Sequence, residues 1–333
     1  MAIKIDLEKV YDRLEWHIFR DVLNLYNLPQ DTVKLIMSCI SGSSISVLFN
    51  GGQLDPFLPS RGIRQGDPLS PYLFILCMEV LGFLIADQCS SHLWDPIKSS
   101  QSGPSFSHLF FVDDLVLFAK ADLKNCQSIR DTLDTFCELS GQKVNMSKSK
   151  VFFLPNVGQE NRDSYCNILG FRSTPNLGKY LGLSIQHKGS SSWDFDFVLE
   201  RVHNKLQGWK ANLLSMAGRL TLTKAMLSAI PSYTMQGCIL PSRIHTSLDK
   251  VCRNFLWGST VEKKKLNMVG WNKVTKPKNR GGLGLHAAKE RNTTLAAKLC
   301  WRMKEESDEL WSRVLKFNYR RRSIESKAPK PRS

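Results

Sequence analysis

The chain has 333 residues, 42 % of them hydrophobic and 23 % charged, which supports two or three cored domains and excludes disorder as the dominant state. Its nine cysteines form no CxxC pair and have no histidine partner at zinc-finger spacing, so neither a disulfide framework nor a structural zinc site is indicated and buried thiols are expected. The net charge of +16 is segregated, because residues 1–200 hold 18 Lys and Arg against 22 Asp and Glu, whereas residues 201–333 hold 28 against 8.

In chain order, Ala2-Ile3-Lys4-Ile5-Asp6-Leu7 alternates apolar and polar residues, which predicts a half-buried strand that delivers Asp6 at its tip. Amphipathic helices are expected over Trp16–Tyr26 and Asp31–Ile40, and Ser44–Asn50 reads as a strand entering a turn at Gly51-Gly52. Ser70 is placed as the N-cap and Pro71 as the first residue of a long apolar helix reaching Ala86. Its apolar run, Tyr72–Ile85, is shorter than the ~20 residues that span a bilayer and contains Glu79, so a core helix is expected rather than a membrane span. With no secretory signal either, the expected location is intracellular, in nucleus or cytoplasm.

A Ser-, Gly- and Pro-rich loop over residues 95–107 leads into two short apolar runs, 108–112 and 115–119, with Asp113-Asp114 between them. That pattern predicts a hairpin with two acids at its turn. A polar helix over Lys124–Leu139, a strand around Lys150–Leu154 and another over Tyr180–Ile185 follow, and beyond Trp193 the pattern is helical and basic. A domain boundary is placed near Gly189-Ser190-Ser191-Ser192, and the tail Lys327–Ser333 reads as disordered. The basic half suits a polyanion, most simply nucleic acid, since neutralised phosphates release condensed counterions; a generically solvated basic face is the alternative. Trp209, Trp257, Trp271, Trp301 and Trp311 interleave with the charges, and helix packing is favoured for them over base stacking.

Carboxylates at a strand end and in an apolar hairpin are costly unless a cation offsets them. A shared pair of metal ions would do so, and two-metal sites serve phosphoryl transfer; magnesium suits hard oxygen ligands and keeps several waters. An Asp-Asp pair alone is an ordinary turn. The ordered set sets this chain apart: Lys4-Ile5-Asp6-Leu7-Glu8-Lys9-Val10-Tyr11-Asp12, then Gly62-Ile63-Arg64-Gln65-Gly66-Asp67-Pro68-Leu69-Ser70-Pro71, then Phe111-Val112-Asp113-Asp114. These segments closely resemble the successive palm motifs of reverse transcriptases encoded by non-LTR (LINE-type) retrotransposons, particularly those of plants. The resemblance continues through Gly141–Lys150 and Tyr180-Leu181-Gly182-Leu183, then more loosely to about residue 320.

The resemblance implies an α+β fold: a polymerase palm, with a small antiparallel sheet packed on helices, over residues 1–189, a helical thumb over 190–260 and a basic extension over 261–333. It implies RNA-directed DNA polymerase activity with two Mg2+ ions, or Mn2+, held by Asp6, Asp113 and Asp114, and the Leu7 carbonyl as a further ligand. Tyr11 would sit under the sugar of the incoming deoxynucleotide and exclude a 2′-hydroxyl, and Gln65 and Gly66 would line the nucleotide and template pocket. Lys148 would be a candidate general acid for the leaving pyrophosphate, and Tyr180, Leu181 and Gly182 the grip on the primer end. The implied partners are an RNA template, a DNA primer or RNA–DNA duplex, and dNTPs, with no membrane. The segments Leu206–Lys210 and Gly218–Leu220 resemble the family's thumb, whereas Asn279–Gly284 lacks a P-loop ending and reads as a connector.

Members of that family carry a fingers region before the first aspartate, often an upstream endonuclease, and in some cases a Cys/His-rich module or ribonuclease H domain. This sequence starts almost on Asp6, so it reads as a truncated piece whose ancestry is specified but whose competence is open. Two rivals stand beside the polymerase reading. A viral-type RNA-dependent RNA polymerase would prefer an acid where Tyr11 stands, and a catalytically inert nucleic-acid-binding remnant would need only the basic half.

Overall fold

The computed structural model describes residues 1–100, 103–184, 195–207, 213–259, 265–306 and 308–325. The described residues fall into two compact units, one within residues 1–185 together with the end of the chain from 317, the other within 186–316. The proposed boundary at residues 189–192, the thumb residues Gly208, Trp209 and Lys210, and the tail from Lys327 lie outside the described residues.

In the first unit, β1 (Ala2–Ile5) buries Ile3 and Ile5 and leaves Ala2 and Lys4 half-buried, and it ends one residue before Asp6. The helices α1 (Trp16–Leu25) and α2 (Gln30–Ser41) follow as expected. The strand expected over Ser44–Asn50 shrinks to a small hairpin of β2 (Leu48–Phe49) and β3 (Gly52–Gln53). Its corner is Asn50-Gly51, with φ of +48° and +81°, one residue earlier than predicted, because an Asn-Gly pair suits two left-handed positions in succession.

The long helix α3 spans Ser70–Ser90, and its N-cap is Leu69, not Ser70. Asp67 sets that start: its side chain accepts the Leu69 N–H at 2.9 Å and its carbonyl accepts the Ser70 N–H at 3.2 Å, so the chain is already turning before Ser70. With 21 residues, α3 outruns its apolar core and is long and apolar enough to cross a membrane by length and composition. Leu73, Phe74, Cys77, Leu81 and Ile85 are nevertheless buried in one core with Ile3, Ile5, Leu115 and Leu117. Its other face is open, with Tyr72 69 % and Phe83 52 % exposed.

Next come β4 (Ile97–Lys98) and β5 (Ser105–Phe106), paired with each other, then β6 (His108–Phe111) and β7 (Asp114–Phe118). Helix α4 (Leu123–Ser140) is capped by Asp122, whose side chain accepts the Asn125 N–H. The remaining elements are β8 (Lys150–Phe152), α5 (Gln159–Leu169), β9 (Arg172–Ser173), β10 (Lys179–Tyr180) and β11 (Leu183–Ser184). The main sheet runs β6-β7-β1-β8-β9, antiparallel except between β8 and β9. This is an α+β palm in which the strands bearing the aspartates are neighbours. Of the segment expected as one strand, Tyr180–Ile185, Tyr180 ends β10 and Leu183–Ser184 form β11 after a turn, while Ile185 lies outside the described residues.

The second unit is helical. It contains α6 (Asp196–Gln207), α7 (Met216–Leu222) continued by a π-helical turn Thr223–Leu227, α8 (Ser232–Gly237), α9 (Ser242–Trp257), α10 (Trp271–Val274) and α11 (Ala288–Glu305). Val198, Val202, Leu227, Ile244 and Leu248 form its core. Buried Asn292 accepts the Leu240 N–H at 2.7 Å and donates to the carbonyls of Met235 and Cys238, which ties α11 to α8. Helix α12 (Leu310–Glu325) closes the chain. The cysteines were expected to be buried, but only Cys77 and Cys126 are; Cys39 and Cys300 are exposed and the other five are intermediate.

Candidate active site

The ladder between β1 and β7 ends at Ile5 opposite Leu115. Continued by one residue, that register sets Asp6 across from Asp114. Ile5 and Leu115 are buried in the core, so alternation turns Asp6 and Asp114 to the other face, with Lys4. In the β6–β7 hairpin Phe111 pairs with Asp114, which leaves Val112-Asp113 as a two-residue corner. Val112 takes φ +53°, a left-handed backbone that a β-branched residue adopts only under strain of about 1–3 kcal/mol. Asp113 is exposed on that corner and Asp114 half-buried.

Lys4 organises the polar face. Its Nζ lies 3.5 Å from Asp114 Oδ1 and donates to the Lys179 carbonyl at 2.6 Å, so one ammonium links the second aspartate of the corner to the β10–β11 hairpin. The turn of that hairpin is Leu181-Gly182, with φ of +49° and +75°, the two left-handed positions of a tight hairpin turn. Burial and, secondarily, the negative charge of Asp114 push the Tyr180 hydroxyl above its ordinary pKa. Tyr180 is therefore near Asp114, with Leu181 and Gly182 next along the turn.

Backbone geometry also aims an oxygen at this place. Leu7 bridges Val144 through its neighbours: the Glu8 N–H donates to Lys143 O at 2.9 Å and the Asn145 N–H to Asp6 O at 2.8 Å. In such a pair the residue's own carbonyl points to the opposite edge of the strand, here the edge occupied by β7. Ser149 Oγ accepts the Asp6 N–H at 3.1 Å. Lys148, one residue earlier, is exposed in the same Asn145–Ser149 turn. Among the described residues no three or more His, Cys, Asp or Glu side chains stand together so as to hold a metal ion. Asp114 is drawn to Lys4, 3.5 Å away; carboxylates and carbonyls are hard oxygens of the kind magnesium takes.

Tyr11 stacks on Phe74 of α3, with ring centroids 5.3 Å apart and planes at 28°. Two remote motifs hold its loop. From one side the Gly62 N–H donates to Leu14 O at 2.7 Å, the Ile63 N–H to Tyr11 O at 2.8 Å, and Trp16 Nε1 to Gly62 O at 2.8 Å. From the other, Gln142 Nε2 donates to Val10 O at 2.7 Å. Neither Gly62 nor Gln142 stood out in the sequence as a site residue, although both lie in the quoted motifs. Gly62 has φ +84°, and a Cβ there would stand 2.9 Å from Asp12 O and 3.1 Å from Tyr11 O. Gly62→Ala is thus expected to destabilise the protein by about 1–3 kcal/mol through strain and backbone clash. Denaturant unfolding checks this, and an unchanged midpoint would mean the clasp is slack. Gln65 and Gly66 are exposed beyond this clasp; Gly66 has φ +89° and open space where a Cβ would go.

Comparison with known proteins shows the family. A ribonuclease H-named protein of Arabidopsis thaliana is 50% identical over 125 residues, covering 38% of this chain and 20% of that protein. The Pol polyprotein of the type-2 retrotransposable element R2DM of Drosophila melanogaster is 29% identical over 197 residues, 56% of this chain and 17% of that one. The Pol polyprotein of a type-1 R2 element of Popillia japonica is 23% identical over 336 aligned residues, 97% of this chain and 52% of that one. The chain spans about a fifth of the length of the first two relatives. The family described as reverse transcriptase (RNA-dependent DNA polymerase) matches residues 1–185, more than half of the sequence, and the protein belongs to it.

Proposed function

We propose that this protein is an RNA-directed DNA polymerase domain that adds deoxynucleotides to a primer 3′ end on an RNA template. The observation that carries the reading is the meeting of Asp6 and the Asp113-Asp114 corner at the ends of adjacent strands, within the segment that matches the family. Asp6 and Asp113 would hold two magnesium ions, or manganese, with the Leu7 carbonyl, and Asp114 stands beside them in its pair with Lys4. When bound, the ions supply activation of the attacking hydroxyl and charge stabilisation of the leaving pyrophosphate.

The chain's own groups account for orientation. The β10–β11 hairpin, fixed to Lys4 through the Lys179 carbonyl, would position the primer end over Asp113, with Tyr180, Leu181 and Gly182 as its grip. Gln65 and Gly66 would admit nucleotide and template, and Lys148 would donate a proton to pyrophosphate. Within this reading residues 1–189 are the palm, 190–260 the thumb and 261–333 a basic extension that follows the duplex backbone.

Tyr11 would lie beneath the sugar and select against a 2′-hydroxyl. Tyr11→Ala is expected to reduce the dNTP-over-NTP ratio of kcat/KM by about 10- to 100-fold, whereas Tyr11→Phe keeps the ring and the ratio. Single-nucleotide incorporation assays measure it, and equal ratios in all three proteins would remove Tyr11 from the sugar site.

The function is tested by primer extension on an RNA template with deoxynucleotides and magnesium or manganese. It is run on this chain and on one extended upstream by a fingers region, since a cationic roof over the triphosphate contributes several kcal/mol. The extended chain is expected to copy RNA, and the shorter one to be much weaker. Inactivity of both, with nucleic-acid binding retained, would assign the protein to the second reading, an inert binding remnant, which the basic charge of residues 201–333 favours.

A further inference from the structure

The second unit carries a cleft that the polymerase reading does not use. It lies between the last turn of α9 and the start of α10, has a volume of about 550 Å³, and is lined by Arg253, Met268, Val269, Trp271, Asn272 and Lys273. That volume is on the scale of small-ligand clefts. Its walls combine two chemistries. Arg253 and Lys273 supply cations, while Met268 is 79 % exposed and Leu266, two residues before it, 88 %, an apolar surface that water covers at a cost.

Neither Arg253 nor Lys273 forms an ion pair among the described residues, and the Nε of Arg253 is a buried donor without an acceptor. One turn further on, Trp257 Nε1 is another, as is Nε of Arg219, whose guanidinium presses with Lys265 on Gly258 at the end of α9. The acid facing Arg253 and the Trp271 ring is Asp249, and one of its oxygens already accepts the Ala288 N–H at 3.0 Å. Buried N–H groups without acceptors are uncommon in folded proteins, and a bound water or ion can offset their cost. At the cleft an anion suits the Arg253 and Lys273 cations.

We propose that this cleft binds one nucleotide of a single-stranded polynucleotide, with the phosphate at Arg253 and Lys273 and the base against Met268 and the Trp271 ring. A duplex hides its base faces inside the stack, so an apolar wall beside paired cations suits an unpaired strand. The site consists of second-unit residues alone and does not depend on the aspartates.

The test is fluorescence anisotropy of a labelled RNA of roughly 12 unpaired nucleotides with the full chain, across a salt series. An unpaired DNA of the same sequence and an RNA–DNA duplex run in parallel. Arg253→Gln combined with Lys273→Gln is expected to weaken the unpaired strand about 10-fold and to flatten the log K against log salt slope by about 1.4, two contacts at ~0.7 each. Duplex affinity is expected to fall less than that of the unpaired strand, because stacked base pairs offer no face to Met268 and the Trp271 ring. Met268→Ala, which removes no charge, should weaken the unpaired strand with the slope intact. Thermal unfolding confirms that the variants remain folded. Equal binding of RNA and DNA, or a preference for RNA, both support the site, because each strand offers base and phosphate. Unchanged affinity and slope in the double variant, or equal losses for duplex and unpaired strand, would overturn it. No polymerisation enters the readout, so an inactive polymerase with this binding intact would refute only the proposed function.

Discussion

Asp113→Asn is expected to reduce primer extension at least ~10³-fold, the equivalent of about 4 kcal/mol of transition-state stabilisation, while duplex affinity stays within about twofold. The asparagine keeps the size and turn propensity of the aspartate, so the Val112-Asp113 corner and its left-handed φ of +53° survive. What would be lost is one negative oxygen from the set proposed with Asp6. Manganese binding, followed by electron paramagnetic resonance in the absence of nucleotide, should weaken in parallel, and this separates a lost cation site from a misfolded corner. Asp114→Asn removes the ion-pair partner of Lys4 at 3.5 Å instead and is expected to weaken activity less. An Asp113→Asn protein that extends primers normally would end the two-metal assignment, and one that loses extension but holds manganese unchanged would move the ligand role to another oxygen.

The elements around the aspartates were legible because the residues there have period-two patterns with opposite faces in different solvents. Ile3 and Ile5 alternate with Lys4 and Asp6, and the observed burial follows that alternation. The β6–β7 hairpin was legible for the same reason, with one refinement: both acids were expected at the turn, whereas Asp114 opens β7 and shares the corner with neither Val112 nor Asp113. The Tyr180 hairpin was not legible from the residues themselves, since Leu181 at φ +49° is a residue type that turn propensities disfavour. Only the family resemblance suggested a hairpin. Helix α5 was missed because its sequence is mostly polar and it buries only Tyr165 and Leu169, too narrow a stripe for a periodicity argument.

Site geometry was legible as a set of motifs and not as a set of contacts. That Asp6 precedes a strand end and that Asp113 lies in a corner follow from local pattern. That Lys4 reaches both Asp114 and the Lys179 carbonyl joins positions 175 residues apart, and no local rule predicts such a pairing. Gly62 and Gln142 belong to the same class. Gly62 acts on the Tyr11 loop through backbone bonds and Gln142 through its side-chain amide, each across a large sequence gap, and in sequence they look like a turn glycine and a polar loop residue. The long helix shows the reverse limit: composition alone would let α3 cross a membrane, and only the core it enters gives it a different part.

Duplex binding by the full chain is expected to fall ~10³-fold between roughly 50 and 200 mM salt if about six phosphates are neutralised, with a log–log slope near −5. The charges that would do this are located in sequence: 28 Lys and Arg against 8 Asp and Glu over residues 201–333, and 18 against 22 over residues 1–200. A chain ending at residue 200 should therefore lose most of the affinity and nearly all of the slope, although it keeps the aspartates, the Tyr11 loop and the β10–β11 hairpin. Circular dichroism would establish that this shorter chain retains its helices and sheet before binding is compared. Lys4, Lys148 and Lys179 remain in it, but residues 1–200 hold more acids than bases, 22 against 18, so the long-range field they leave is small beyond a Debye length of ~10 Å at 0.1 M salt. If the shorter chain bound duplex as tightly and with as steep a slope as the full one, the polyanion surface would have to lie on the palm, and the charge segregation along the sequence would need another explanation.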